Sequence, residues 1–103
     1  MSFRPEPGEH VINTEDCAED NLRSGILILT DRRLVFQKTE GRMATLSKKE
    51  GAVVLDIPLG SISSFRAEGF LVKKFVAITD GKTYKFGVFS SGKWEKQMRQ
   101  QKG

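Results

Sequence analysis

Apolar residues fall along this chain in short runs separated by turn-forming residues. Pro7-Gly8, Gly25, Asp31, Glu40-Gly41, Glu50-Gly51, Pro58 with Gly60, Glu68-Gly69 and Asp80-Gly81 punctuate segments rich in Val, Ile, Leu, Phe and Thr. That spacing predicts a mostly β domain with strands at about 9–15, 21–30, 33–39, 52–57, 62–67, 70–79 and 82–88. Asp80-Gly81 supplies the positive φ angles of a two-residue type I′ turn, so the last two strands form a hairpin. Within its second arm Tyr84, Phe86 and Val88 alternate with Thr83, Lys85 and Gly87, which makes one face buried and the other wet. Gly25 to Thr30 is apolar without alternation and reads as a strand covered on both faces. Asp31-Arg32 then reverses the chain into a strand with Leu34 and Phe36 on one face. Pro58 removes a ladder donor and ends the strand that contains Val53, Leu55 and Ile57.

The pattern changes after Phe89. Ser90 or Ser91 caps a helix, Glu95 favours its first turn, and Lys96, Arg99 and Lys102 suit its last. Trp94 and Met98, four residues apart, form a narrow apolar stripe for packing against a sheet. The loop from Thr39 to Gly51 is the longest insertion, rich in charge, with Met43 and Leu46 among its polar residues.

With 103 residues, 38% of them apolar, the chain supports one core and hence a single domain spanning residues 1–103. No run reaches the roughly 20 apolar residues of a membrane span, and Met1 to Glu9 lacks the pattern of a secretion signal, so the expected location is the cytoplasm, either free or peripheral to a membrane. One Cys and one His exclude an internal disulfide and a conventional zinc site. His10 and Cys17 are the only nucleophile and base pairing worth naming. Seven residues apart on the first strand and its loop, they form no catalytic constellation, and no Walker-type loop or dinucleotide fingerprint is present. No enzyme activity, cofactor or metal is expected. Charge is unevenly placed: residues 1–22 hold six acids and one base, a net of −5, while the remainder carries +9. A positive face suited to phosphate groups or an anionic surface follows, beside an acidic stretch.

Seven strands followed by one helix resemble the pleckstrin-homology superfold, a bent antiparallel sheet plugged by a C-terminal helix. Pro7 to Ile12, Gly25 through Phe36, Ile57-Pro58-Leu59-Gly60-Ser61-Ile62 and Trp94 are similar to the GRAM branch and to related bacterial pleckstrin-homology-like domains. The resemblance runs from about Gly8 to Gln101. Its strongest part is Gly25-Ile26-Leu27-Ile28-Leu29-Thr30-Asp31-Arg32-Arg33-Leu34-Val35-Phe36. Physically this is a hairpin: Thr30 and Asp31 satisfy turn donors, Arg33 follows on the wet face, and Leu34 and Phe36 point to the core.

The resemblance implies a non-catalytic binding or adaptor module that recognises a protein partner or an anionic membrane through exposed loops. Phosphoinositide-specific binding is the alternative, and weak nucleic-acid binding ranks third, since no aromatic-rich RNA-binding signature appears among Phe65, Phe70, Phe75, Phe86 and Phe89 and most of these sit in strand runs that burial explains. The superfold commonly captures head groups with a basic first loop, whereas Glu15 to Asn21 here is acidic and repels them. Candidate contacts are therefore Lys38, Arg42, Met43, Lys48 and Lys49, joined by Lys73 and Lys74. A peptide could also bind between a strand edge and the C-terminal helix, and sheet edges offer a route to homo-oligomers.

Overall fold

The computed structural model describes residues 3–39, 50–69 and 72–102. Seven strands form one sheet: β1 (Val11–Glu19), β2 (Arg23–Thr30), β3 (Arg33–Thr39), β4 (Glu50–Pro58), β5 (Ile62–Glu68), β6 (Lys74–Thr79) and β7 (Lys82–Phe86). Among the described residues a 3-10 turn over Leu59–Ser61 links β4 to β5, and one helix, α1 (Ser91–Lys102), follows the last strand. The strand order is β4-β3-β2-β1-β7-β6-β5, and every neighbouring pair is antiparallel. Two meanders, β1 to β4 and β5 to β7, are thus joined edge to edge by β1 and β7. That junction is short: Glu19 pairs with Phe86, flanked by Asp20 N–H to Lys85 O at 3.1 Å and Gly87 N–H to Ala18 O at 2.8 Å.

The sheet bends around its core. β3 and β7 are three steps apart in the strand order, roughly 14 Å in a flat sheet, yet the Phe36 and Phe86 rings approach to 5.4 Å. Leu27, Leu29, Leu34, Phe75, Trp94 and Met98 complete a core whose members are fully or almost fully buried. Trp94 packs 6.1 Å from the Phe75 ring, as the apolar stripe of the helix predicts. The helix opens where Ser90 O accepts the Trp94 N–H at 3.0 Å. Glu95 lies one position beyond the first turn and spends its carboxylate elsewhere, accepting the Ala67 N–H of edge strand β5 at 3.1 Å. Lys102, in the last turn, donates to Leu59 O at 2.7 Å and Ile62 O at 2.9 Å. Helix side chains therefore occupy groups of the β5 edge that an incoming peptide would need.

The turns follow from local chemistry. Asp80 at φ 50° and Gly81 at φ 75° make the expected type I′ reversal between Thr79 and Lys82. At the other hairpin Thr30 Oγ1 accepts the N–H groups of Arg32 and Arg33, both at 3.0 Å, and Asp31 accepts that of His10 at 3.1 Å. Gly25, one of the expected turn markers, lies inside β2 opposite Cys17 and Lys38. A Cβ there would stand 2.5 Å from the Phe36 ring and 2.6 Å from Gln37 O, so glycine is what lets that ring cross the strand.

Several boundaries differ from expectation. β1 spans Val11–Glu19, so most of the acidic stretch expected as a loop is strand, and the turn is reduced to residues 20–22. Two of its acidic side chains, Glu15 and Glu19, are taken up by backbone, hydroxyl and indole donors, which hydropathy does not reveal. The strands bordering the long insertion continue until Thr39 pairs with Glu50, and residues 40–49 lie outside the described residues. β6 begins at Lys74, after the reversal that Gly69 enters at φ 100°.

Candidate functional site

The charged residues of β1 act as fasteners. Glu19 is buried and accepts the N–H groups of Asn21 at 2.8 Å, Leu22 at 2.9 Å and Lys85 at 3.1 Å, closing the β1-β2 turn and tying it to β7. Glu15 accepts the Phe89 N–H at 2.6 Å, the Ser90 hydroxyl at 3.0 Å and the Trp94 indole N–H at 2.9 Å. It thereby fixes the connection from β7 to α1. Cys17, between them, is half-buried against the core, and its thiol is pushed up to about 12 by burial and then by the neighbouring Glu15 carboxylate. His10 is exposed at the far end, 3.4 Å from Asp31. Seven strand residues put it roughly 20 Å from Cys17 along β1.

Just outside β1, Glu9 and Arg33 form a buried hub. The Glu9 carboxylate, its side chain 0% exposed, receives Arg33 Nε at 2.8 Å, Arg33 Nη2 at 2.9 Å, Thr30 Oγ1 at 2.6 Å and the Glu6 N–H at 2.8 Å. The Arg33 hydrogen bonds, ahead of the other contacts, hold this carboxyl at about 2, far below its ordinary 4.5. Arg33 also reaches Asp56 at 2.8 Å. Expected on the wet face, Arg33 is instead the half-buried centre of an ion network, because Glu9 folds back over the hairpin to meet it.

The proposed contact residues separate into three groups. Arg42, Met43, Lys48 and Lys49 lie outside the described residues. Lys38 is exposed on β3 opposite Gly25. Lys73 is exposed next to Lys74, but Lys74 is half-buried and bound to Asp20 at 2.6 Å, which takes up its charge. Lys73 lines an open depression of about 370 Å³ together with Val72, Gly87, Val88 and Phe89. Val72 is 67% and Phe89 88% exposed, the most exposed large apolar side chains among the described residues.

Burial accounts for most of the phenylalanines weighed for nucleic-acid binding; Phe70 lies outside the described residues. Phe75 and Phe86 are buried and Phe65 half-buried, but Phe89 is not. The signal was present in phase: Tyr84, Phe86 and Val88 alternate inward, so Phe89 falls on the opposite side. What the alternation could not supply is the Glu15 carboxylate that anchors the Phe89 backbone while its ring stays outside.

A second, smaller groove of about 240 Å³ lies between β4, from Val54 to Pro58, and the β6-β7 hairpin at Thr79, Asp80, Lys82 and Tyr84. Among the described residues no cluster of His, Cys, Asp and Glu could hold a metal ion, and no helix is long and apolar enough to cross a membrane. No protein-family model matches the chain, and no curated protein matches its sequence.

Proposed function

We propose that this protein is a non-catalytic binding module of the pleckstrin-homology-like, GRAM-like kind, and that it docks on an anionic membrane surface through Val72, Lys73 and Phe89. The observation that carries the reading is the pair of exposed apolar side chains beside a lysine. Phe89 is held by a carboxylate-anchored backbone, so its ring is presented without a large entropic cost of ordering on contact. The curled seven-stranded antiparallel sheet, the C-terminal helix and the buried Trp94 support the fold part of the reading. A phenyl ring entering the interface gains about 1.5–3 kcal/mol, and each lysine near anionic lipid adds about 1 kcal/mol.

Head-group-specific phosphoinositide binding is the weaker alternative. The β1-β2 connection is a short turn, and its Asp20 is engaged with Lys74 rather than offering a basic cradle. A protein partner on the same surface is the second reading, favoured by the concavity between Val72 and Phe89, which suits an inserted side chain.

Co-sedimentation with vesicles containing phosphatidylserine tests the choice. The membrane reading expects binding that weakens about tenfold between low and physiological salt, and weakens again in Phe89→Ser and in Lys73→Glu. No binding at low salt overturns it and leaves the protein reading. For that reading, a photo-crosslinker at position 89 should capture one discrete partner that Val72→Glu abolishes.

A further inference from the structure

On a different face, residues 3–9 run without regular secondary structure across the outer side of the β2-β3 hairpin. Arg33, Val35 and Gln37 alternate on that side of β3. The Phe3 N–H donates to Gln37 Oε1 at 2.7 Å, while the Arg33 guanidinium stacks 4.9 Å from the Phe3 ring centroid and donates through Nη2 to Arg4 O at 3.0 Å. Phe3 contacts the residues on both sides of Val35 and so spans it. Val35 is 0% and Gln37 4% exposed, so β3, expected to bury only the face of Leu34 and Phe36, is covered on its outer face as well.

Arg33 is oriented without residues 3 and 4. Glu9 takes Nε and shares Nη2, and Asp56 takes Nη1, which leaves the flat face of the guanidinium and the rest of Nη2 for the segment. Arg4 to Gly8, by contrast, is exposed. One ring and two main-chain hydrogen bonds hold residues 3 and 4, a small gain against the cost of ordering them.

We propose that this face of β3 is a docking site for an extended peptide bearing an aromatic residue, occupied in cis by the chain's own Phe3 and Arg4. The ring is read by Arg33, the aromatic residue's N–H by Gln37, and the next carbonyl by Arg33 Nη2. Two of the three contacts go to the main chain, so the site selects an aromatic in extended backbone rather than a longer sequence. Tethering gives the cis segment an effective concentration on the order of millimolar, which a free peptide must overcome.

The test uses the full chain and a fluorescein-labelled peptide with the sequence of residues 1–8, read by anisotropy and by amide NMR. Phe3→Ala vacates the seat while leaving Glu9, Arg33 and Asp56 in place. The peptide should bind Phe3→Ala at least tenfold more tightly than the unaltered chain, with shifts centred on Val35 and Gln37. Adding Gln37→Ala should reverse most of that gain, and a peptide with alanine in place of phenylalanine should not bind. Equal binding to both proteins, no binding to Phe3→Ala shown folded by its amide spectrum, or shifts remote from β3 would overturn the proposal.

Discussion

Two carboxylates six residues apart, Glu9 just before β1 and Glu15 within it, use one device to opposite ends. Each collects several donors from segments distant in sequence. Glu9 takes a cation, a hydroxyl and a backbone N–H, and the arginine it orients draws the Phe3 ring down onto β3. Among the described residues Glu15 takes neutral donors, and by binding the Phe89 N–H and the Trp94 indole it fixes a backbone whose aromatic ring is left outside. A charged partner makes a hub that half-covers an aromatic residue, and neutral partners make a clamp that displays one. The acidity of this part of the chain is therefore internal fastening more than a surface field.

The comparison breaks most severely at Arg33. Replacing it by alanine leaves the Glu9 carboxylate buried without its cation, and the expected loss is about 3–5 kcal/mol of stability by urea denaturation. A loss under about 1 kcal/mol would show the hub to be ornamental. Acid titration probes the same contact more gently. Glu9 sits at about 2 in the folded chain against an ordinary 4.5, so the unfolded state binds the extra proton first. Stability is fully present above about 4.5 and declines as the pH falls toward 2. Glu9→Gln should be less stable at neutral pH and should lose much of that acid slope; an unchanged slope would remove Glu9 from the explanation.

Breaking the clamp should be milder. Glu15→Ala strands the Trp94 indole N–H and frees the Phe89 backbone, at an expected cost of about 1–3 kcal/mol. The indole resonance and the Phe89 and Ser90 amides should move, while those of Val35 and Gln37 should not. Movement at both ends would mean that the two carboxylates are coupled through β1.

Much of the fold was legible because periodicity and turn chemistry agree. The Asp80-Gly81 hairpin, the Thr30-Asp31 reversal, the two-sided burial of β2 and the Trp94-Met98 stripe each follow from a local rule and are found in place. The acidic strand was not legible, because Glu15 and Glu19 resemble solvated loop residues until the fold brings up their distant donors, Lys85 on β7 for Glu19 and Phe89, Ser90 and Trp94 beyond it for Glu15. Arg33 was misplaced for the same reason: its partner Glu9 is 24 residues away. Of the candidate contacts, Lys73 falls beside an exposed apolar pair, whereas Lys74 has its charge taken by Asp20. Phe89 could be found only by trusting the phase of the alternation over the apolarity of the residue.

Cys17 gives the smallest and cleanest contrast, since it lies on β1 between Glu15 and Glu19 and its modification reads the environment without altering it. With the thiol at about 12 against an ordinary 9, the thiolate fraction at neutral pH is lower by roughly a thousandfold. Iodoacetamide at pH 8 should therefore label the folded chain far more slowly than the chain in urea. Burial is the larger cause and the Glu15 charge the next, so Glu15→Gln should speed native labelling modestly, while Glu9→Gln, beyond the start of the strand, should leave it unchanged. Equal acceleration by both variants would mean that labelling follows general loosening of the fold rather than the local field of Glu15.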